Sequence, residues 1–140
     1  MSRGGADWQL HARLAADTHA VVRWALCEVL LMDDARFPWL VLVPRVPGAE
    51  ELLDLDSMQQ TRLLQETLRA AGVLRTFAKP DKLNIGSLGN IVRQLHVHVV
   101  ARHEHDAAWP GPVWGHGAAQ RYDAAALAGR LAAFRSACAD

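Results

Sequence analysis

Cysteine is nearly absent: Cys27 and Cys138 stand at opposite ends of the chain, with no closely spaced pair. That spacing argues against a disulfide framework or a cysteine-based structural zinc. Cys27 lies in an apolar run and reads as a small core hydrophobe. No run of about 18 apolar residues occurs, and Met1–Asp7 has no apolar signal core, which argues against a membrane span or a secretory leader. An excess of charge is missing too, with 15 Lys and Arg against 15 Asp and Glu. Nothing therefore implies a broad footprint on nucleic acid or anionic lipid, and any phosphate-bearing ligand must be held locally. Repeats, linkers and low-complexity tracts are likewise absent. These absences predict a reduced, cytoplasmic, soluble protein with neither a nucleic acid nor a membrane as partner.

What is present is ordinary in bulk and informative in pattern. The 140 residues, 51% hydrophobic and 21% charged, suffice for one domain with its own core. Trp8 to Asp17 reads as a short helix with Asp7 as its N-cap. Val21 to Met32 reads as one strand, broken by Asp33-Asp34-Ala-Arg36. Pro38 to Pro44 is the next strand, and the two form an antiparallel hairpin. Leu55 to Lys79 is the longest helical pattern, with Leu63, Leu64, Leu68, Ala70, Ala71, Leu74 and Phe77 as its apolar positions. Asp56 or Ser57 caps its start and Pro80 stops it. Lys82 to Leu88 and Gln94 to Ala101 are strands, and Tyr122 to Ala137 closes the chain as a helix. The sum is a single α+β domain, an antiparallel sheet of about five strands with packed helices.

The segment Gln94-Leu95-His96-Val97-His98-Val99-Val100-Ala101-Arg102 carries the chemistry. Strict alternation puts Gln94, His96 and His98 on one face of a strand and Leu95, Val97 and Val99 on the other. Upstream, Asn84-Ile-Gly86-Ser87-Leu-Gly89-Asn90 is a turn able to hold an anion with backbone N–H groups. A neutral imidazole is a competent nucleophile or acid–base near pH 7. Attack at phosphorus requires one ring nitrogen free and the other held by a carbonyl or a neighbour. A second imidazole, roughly 6 to 7 Å along the strand, would contact another oxygen of the same phosphate.

The competing reading is a metal site built from His-x-His, with His103, His105 and His116 as further ligands. No carboxylate or cysteine alternates with these histidines, and a phosphate turn is superfluous to a metal cage. Arg93 reads as a solvated or structural residue. Arg102 is equally suited to a phosphate tail or to a neighbouring acid. Trp109 and Trp114 read as core or interface residues, and Met32 as core.

The pattern Asn84-x5-Asn90-x3-Gln94-Leu-His96-Val-His98-Val-Val resembles the histidine triad (HIT) family of nucleotide hydrolases and transferases. The likeness extends to the Asp33 hairpin, the strand ending Val-Pro44-Arg45, the long helix and the Gly turn, in the family's order. More loosely, the tryptophan-containing tail resembles that of the Hint branch. By that resemblance, 1–140 is one HIT-like domain, with a core over about 8–102 and a C-terminal tail and helix over 103–140.

The resemblance implies roles. His96 is the nucleophile at an α-phosphorus, becoming transiently nucleotidylated before water or another acceptor releases the nucleoside monophosphate. His98 contacts a phosphate oxygen, and Asn84 and Asn90 are amides near the phosphate, Gly89 lying in the phosphate turn. Asp33 grips ribose hydroxyls. The substrates implied are AMP-type phosphoramidates, dinucleoside polyphosphates or nucleotidyl conjugates. No metal or organic cofactor is implied, although Mg²⁺ would suit a polyphosphate substrate. The implied partners are a small nucleotide and a second copy of the chain, paired through long helices and sheet edges. There are departures. Gln94 replaces the first triad histidine, where it keeps a donor and an acceptor but cannot titrate. No companion histidine follows Pro44-Arg-Val-Pro47, and Ile91 stands where many members carry Ser or Thr. A catalytically weak nucleotide-binding module is the alternative.

Overall fold

The computed structural model describes residues 7–139; the leader reading of the first six residues lies outside them. Five antiparallel strands form one sheet in the order β1-β2-β3-β5-β4: β1 Thr18–Arg23, β2 Cys27–Met32, β3 Trp39–Pro44, β4 Lys82–Gly86 and β5 Val97–Arg102. Helices α1 (Ala12–Asp17), α2 (Ser57–Ala78) and α3 (Ala124–Cys138) complete the α+β fold.

The alternation of apolar residues along the central strands feeds two cores. One face gives Val29, Leu31, Leu40, Leu42, Val97 and Val99 to a core shared with Leu63, Ala70 and Leu74 of α2 and Phe134 of α3. The other face gives Leu30, Trp39, Val41, Val43 and Val100, covered by Leu14 of α1, by Trp8 and Leu10 before it, and by Ala108 and Val113. The functional residues lie on this second face.

Helix α2 starts where the sequence signals it, at an Asp56–Gln59 capping box. It ends at Lys79, which takes the left-handed conformation (φ 46°) just before Pro80. Its inward stripe is narrower than the apolar spacing predicts, because Leu64 and Leu68 remain exposed. Cys27 is fully buried, and burial pushes its thiol well above the usual range, so it is an inert core residue.

Several element boundaries differ from the sequence reading: β4 ends at Gly86, β5 begins only at Val97, and two further differences have causes outside the local sequence. The Val21–Met32 run is a hairpin of its own: β1 and β2 pair around Trp24-Ala25-Leu26, where Trp24 N–H donates to the Cys27 carbonyl (2.9 Å). That turn lacks Gly and Pro. It is held from outside by buried Glu66 of α2, whose carboxylate accepts from the backbone N–H groups of Leu26 (3.0 Å) and Cys27 (2.9 Å). The first helix is also shorter than expected, because His11, not exposed Asp7, caps it through Nδ1 to the Arg13 N–H (3.0 Å).

Candidate active site

His98 sits on β5 opposite Val41 of β3, which is in turn opposite Leu30 of β2. His96 lies just before β5 begins and still presents its ring beside that of His98. The two centroids are 4.9 Å apart with the planes at 71°, so strand-like alternation persists one step beyond the ladder. Both rings are buried.

The partners of each ring determine where its proton sits. His96 Nδ1 lies 2.6 Å from the Gln94 carbonyl oxygen. A carbonyl only accepts, so Nδ1 carries the hydrogen and Nε2 keeps a free lone pair. At His98 the arrangement reverses. Its Nδ1 accepts from the Trp39 indole N–H at 3.0 Å, and an indole only donates, so the neutral ring carries its proton on Nε2. Burial first, and His96 second, push the His98 pKa down to about 3. One ring thus offers a lone pair and its neighbour, uncharged, offers an N–H. The Ser87 hydroxyl donates to the His96 carbonyl (2.7 Å) and ties the turn to this segment.

Both rings open onto a cavity of about 630 Å³. One end is made by His96, His98 and the Leu88–Val92 turn, where Gly89 takes a φ of +75° in the region that favours glycine. Arg13, Leu14 and Asp17 of α1 also line the cavity, as do Met32, Asp33 and Asp34 at the end of β2. Met32 is two residues beyond the Leu30 row and roughly 12 Å from His98 by strand spacing and rise, a span that fits a nucleoside monophosphate. Met32 packs against the second core, as the sequence reading has it, and also lines the cavity.

Of the residues singled out from the sequence, His96, His98, Gly89, Asn90 and Asp33 meet in this cavity. Asp33 is already engaged: its carboxylate accepts from the Tyr122 N–H (3.0 Å) and from Arg121 (2.8 Å), with His19 Nε2 at 3.2 Å. Burial alone would raise its pKa; these contacts overcome it and hold the carboxyl below the usual range.

Three expected site residues lie elsewhere. Arg102 is buried, forks onto Asp106 (2.7 and 3.0 Å) and donates to Asn84 Oδ1 (2.8 Å). Between an acid and a phosphate tail, the geometry selects the acid. Asn84 is consumed in the same network and does not line the cavity. The Gln94 side chain also points away, because β5 begins only at Val97: its amide bonds the backbone of Gln9 and His11. Arg93 is exposed, as expected, 4.0 Å from Glu50.

The sequence reading missed Trp39, whose partner lies 59 residues away, and the α1 wall, which carries no local motif. Trp114 belongs to the site as well. Its ring lines the cavity, meets His98 edge-on at 5.5 Å and packs closely on Gly86, where an added Cβ would come within 3.1 Å. The two tryptophans share no spacing with the histidines that would mark them in sequence. As for metals, among the described residues no three His, Cys, Asp or Glu side chains converge to hold an ion. His103 instead places Nε2 2.9 Å from the Ala78 carbonyl.

A family model described as the HIT domain matches residues 13–105. Three solved structures of histidine triad proteins are similar over nearly the whole chain. The one from Bradyrhizobium japonicum is 47% identical, covering 93% of this chain and 97% of its own, with a TM-score of 0.90. That from Marinobacter aquaeolei is 44% identical, with coverage of 94% and 96% and a TM-score of 0.91. That from Sinorhizobium meliloti is 42% identical, with coverage of 92% and 96% and a TM-score of 0.89. No curated protein matches the sequence.

Proposed function

The chain belongs to the HIT domain family, and from that premise we propose that it hydrolyses or transfers at the α-phosphate of a nucleoside phosphate through a nucleotidyl-His96 intermediate. The observation that carries this reading is the pair of opposite tautomers on one cavity: His96 Nε2 free, His98 Nε2–H beside it. The His96 lone pair attacks phosphorus, and the bond from phosphorus to the leaving group breaks with its electron pair. Solvent supplies the proton that the leaving group takes up. As Nε2 bonds phosphorus the imidazole becomes cationic, and its Nδ1–H bond to the Gln94 carbonyl strengthens. His98 donates to a non-bridging oxygen, with Asn90 and the Gly89 turn beside it. Water then attacks the same phosphorus, loses a proton to solvent, and releases the monophosphate and neutral His96.

AMP-type phosphoramidates, dinucleoside polyphosphates and nucleotidyl conjugates are the substrate classes. The covalent step requires no metal or organic cofactor, with Mg²⁺ serving only a polyphosphate substrate. The tryptophan tail supports a Hint-like branch, and the setting is cytoplasmic; among the described residues no helix is long and apolar enough to cross a membrane. A second copy of the chain would cover the exposed β4 edge with Ile85, and Leu64 and Leu68 of α2. One observation favours the alternative of a binding module without turnover: the side chain at the first triad position lies outside the cavity.

The deciding experiment incubates wild type and His96→Ala with adenosine 5′-phosphoramidate and follows AMP release by chromatography. Turnover lost in the variant while AMP still binds, with an adenylate trapped on His96 in wild type, is the expected result. AMP binding without release by wild type would overturn the enzyme reading in favour of the binding module.

A further inference from the structure

Gln94 stands where a third imidazole would be expected, yet its side chain faces the chain's N-terminal segment. Its Oε1 accepts from the His11 N–H (2.8 Å) and its Nε2 donates to the Gln9 carbonyl (2.8 Å). The carbonyl of one residue and the N–H of the second residue along present the edge that a neighbouring strand would pair with. A primary amide matches it, because its oxygen and its NH₂ point off the same edge. An imidazole does not, since its two nitrogens point in divergent directions. What the clasp holds is weak by itself. Helix α1 has six residues and no acidic side chain in its first turn, too short to persist without tertiary support. Immediately upstream, Trp8 and Leu10 pack on the core beneath the site. Downstream, Arg13, Leu14 and Asp17 line the cavity.

We propose that Gln94 is a positioning residue whose side chain clasps Gln9 and His11 and thereby sets the α1 wall against which the nucleoside is held. The inference rests on the nucleotide reading of the cavity. It also separates two roles at one position: the backbone carbonyl of Gln94 orients His96, and the side chain orients α1. Removing the side chain leaves the carbonyl in place. Substrate binding should then suffer and the chemical step should not.

The test compares Gln94→Ala, Gln94→His and Gln94→Glu with wild type. Three quantities are read: KM and kcat for adenosine 5′-phosphoramidate, Kd for AMP, and hydrogen exchange of the His11 amide. In Gln94→Ala, KM and Kd should rise about tenfold while kcat stays within about twofold, and the His11 amide should exchange faster. Gln94→His should show the same KM loss with no gain in kcat. Gln94→Glu keeps the acceptor but loses the donor. Its deficit in AMP affinity relative to wild type should therefore shrink as pH falls toward about 4.3, where a carboxyl regains its proton. A fall in kcat at unchanged KM in Gln94→Ala, or a rise in kcat at unchanged KM in Gln94→His, would overturn the clasp in favour of a proton relay. Unchanged His11 exchange would overturn it outright. If wild type releases no AMP, it is the enzyme reading that fails, and His11 exchange with AMP affinity still decides the clasp.

Discussion

His98 is neutral because it is buried and lies beside His96, and the Trp39 indole N–H on its Nδ1 fixes which tautomer it adopts. Trp39→Phe keeps the ring and removes that donor, freeing His98 to adopt either tautomer. Adenosine phosphoramidate turnover should fall about tenfold with the fold retained, an effect of the size of one buried hydrogen bond. Because the folded pKa of His98, about 3, lies below its ordinary 6.5, the unfolded chain binds the extra proton between those values. Stability is therefore fully present above about pH 6.5 and falls as pH drops toward 3, by at most about 1.4 kcal/mol per pH unit. Asp33, Asp34 and Asp106 also have lowered values, but from an ordinary 3.8, so they act below the window from about 4 to 6.5. Urea unfolding across that window should show the slope, and His98→Asn should flatten it. At this scale the histidine pair is legible in sequence, because period-two alternation is local. The partners Trp39 and Ser87 are not, because nothing near His96 or His98 in the chain announces them. Gln94 misleads for a related reason: alternation extended back from β5 assumes a strand that has not yet begun.

Elements are held to one another by a few buried charges. Arg102 at the end of β5 grips Asp106, which also accepts from the backbone N–H groups of His103, Ala108 and Trp109. The Arg102 hydrogen bond, chiefly, holds the Asp106 carboxyl below the usual range. Asp106→Ala leaves a buried guanidinium without its acid and should cost about 3–5 kcal/mol in chemical unfolding. A loss under about 1 kcal/mol would mean that water replaces the pair. Gly86→Ala would press on the Trp114 ring and displace it by a few tenths of an ångström at the cavity wall, so AMP affinity should drop by about twofold to fivefold by titration calorimetry while unfolding shifts little. Long elements are readable because α2 carries its cap, its stripe and its stop in sequence. The β1–β2 turn is not, because Trp24-Ala25-Leu26 contains no turn residue and depends on Glu66, some 40 residues away.

Across the whole molecule, the two sheet faces divide the labour. One is closed by α2 and α3; the other carries the cavity under α1 and the C-terminal segment, which returns over the β2–β3 loop through Gln120, Arg121 and Tyr122. The exposed α2 stripe and β4 edge lie away from that closure. If a second copy covers them, wild type should sediment as a dimer and Leu68→Glu as a monomer, with a midpoint several degrees lower.

The cavity wall has one more consequence. Arg13, Arg36 and Arg121 line it together with Asp17, Asp33 and Asp34, and each guanidinium sits against a carboxylate. The neutral His98 adds no charge to that balance. An anionic substrate thus approaches a site with no net attraction at long range and is held by donors acting at contact. Ionic strength should therefore have little purchase on it. Raising salt from about 0.05 to 0.5 M, which shortens the screening length several-fold, should change AMP affinity by less than about threefold.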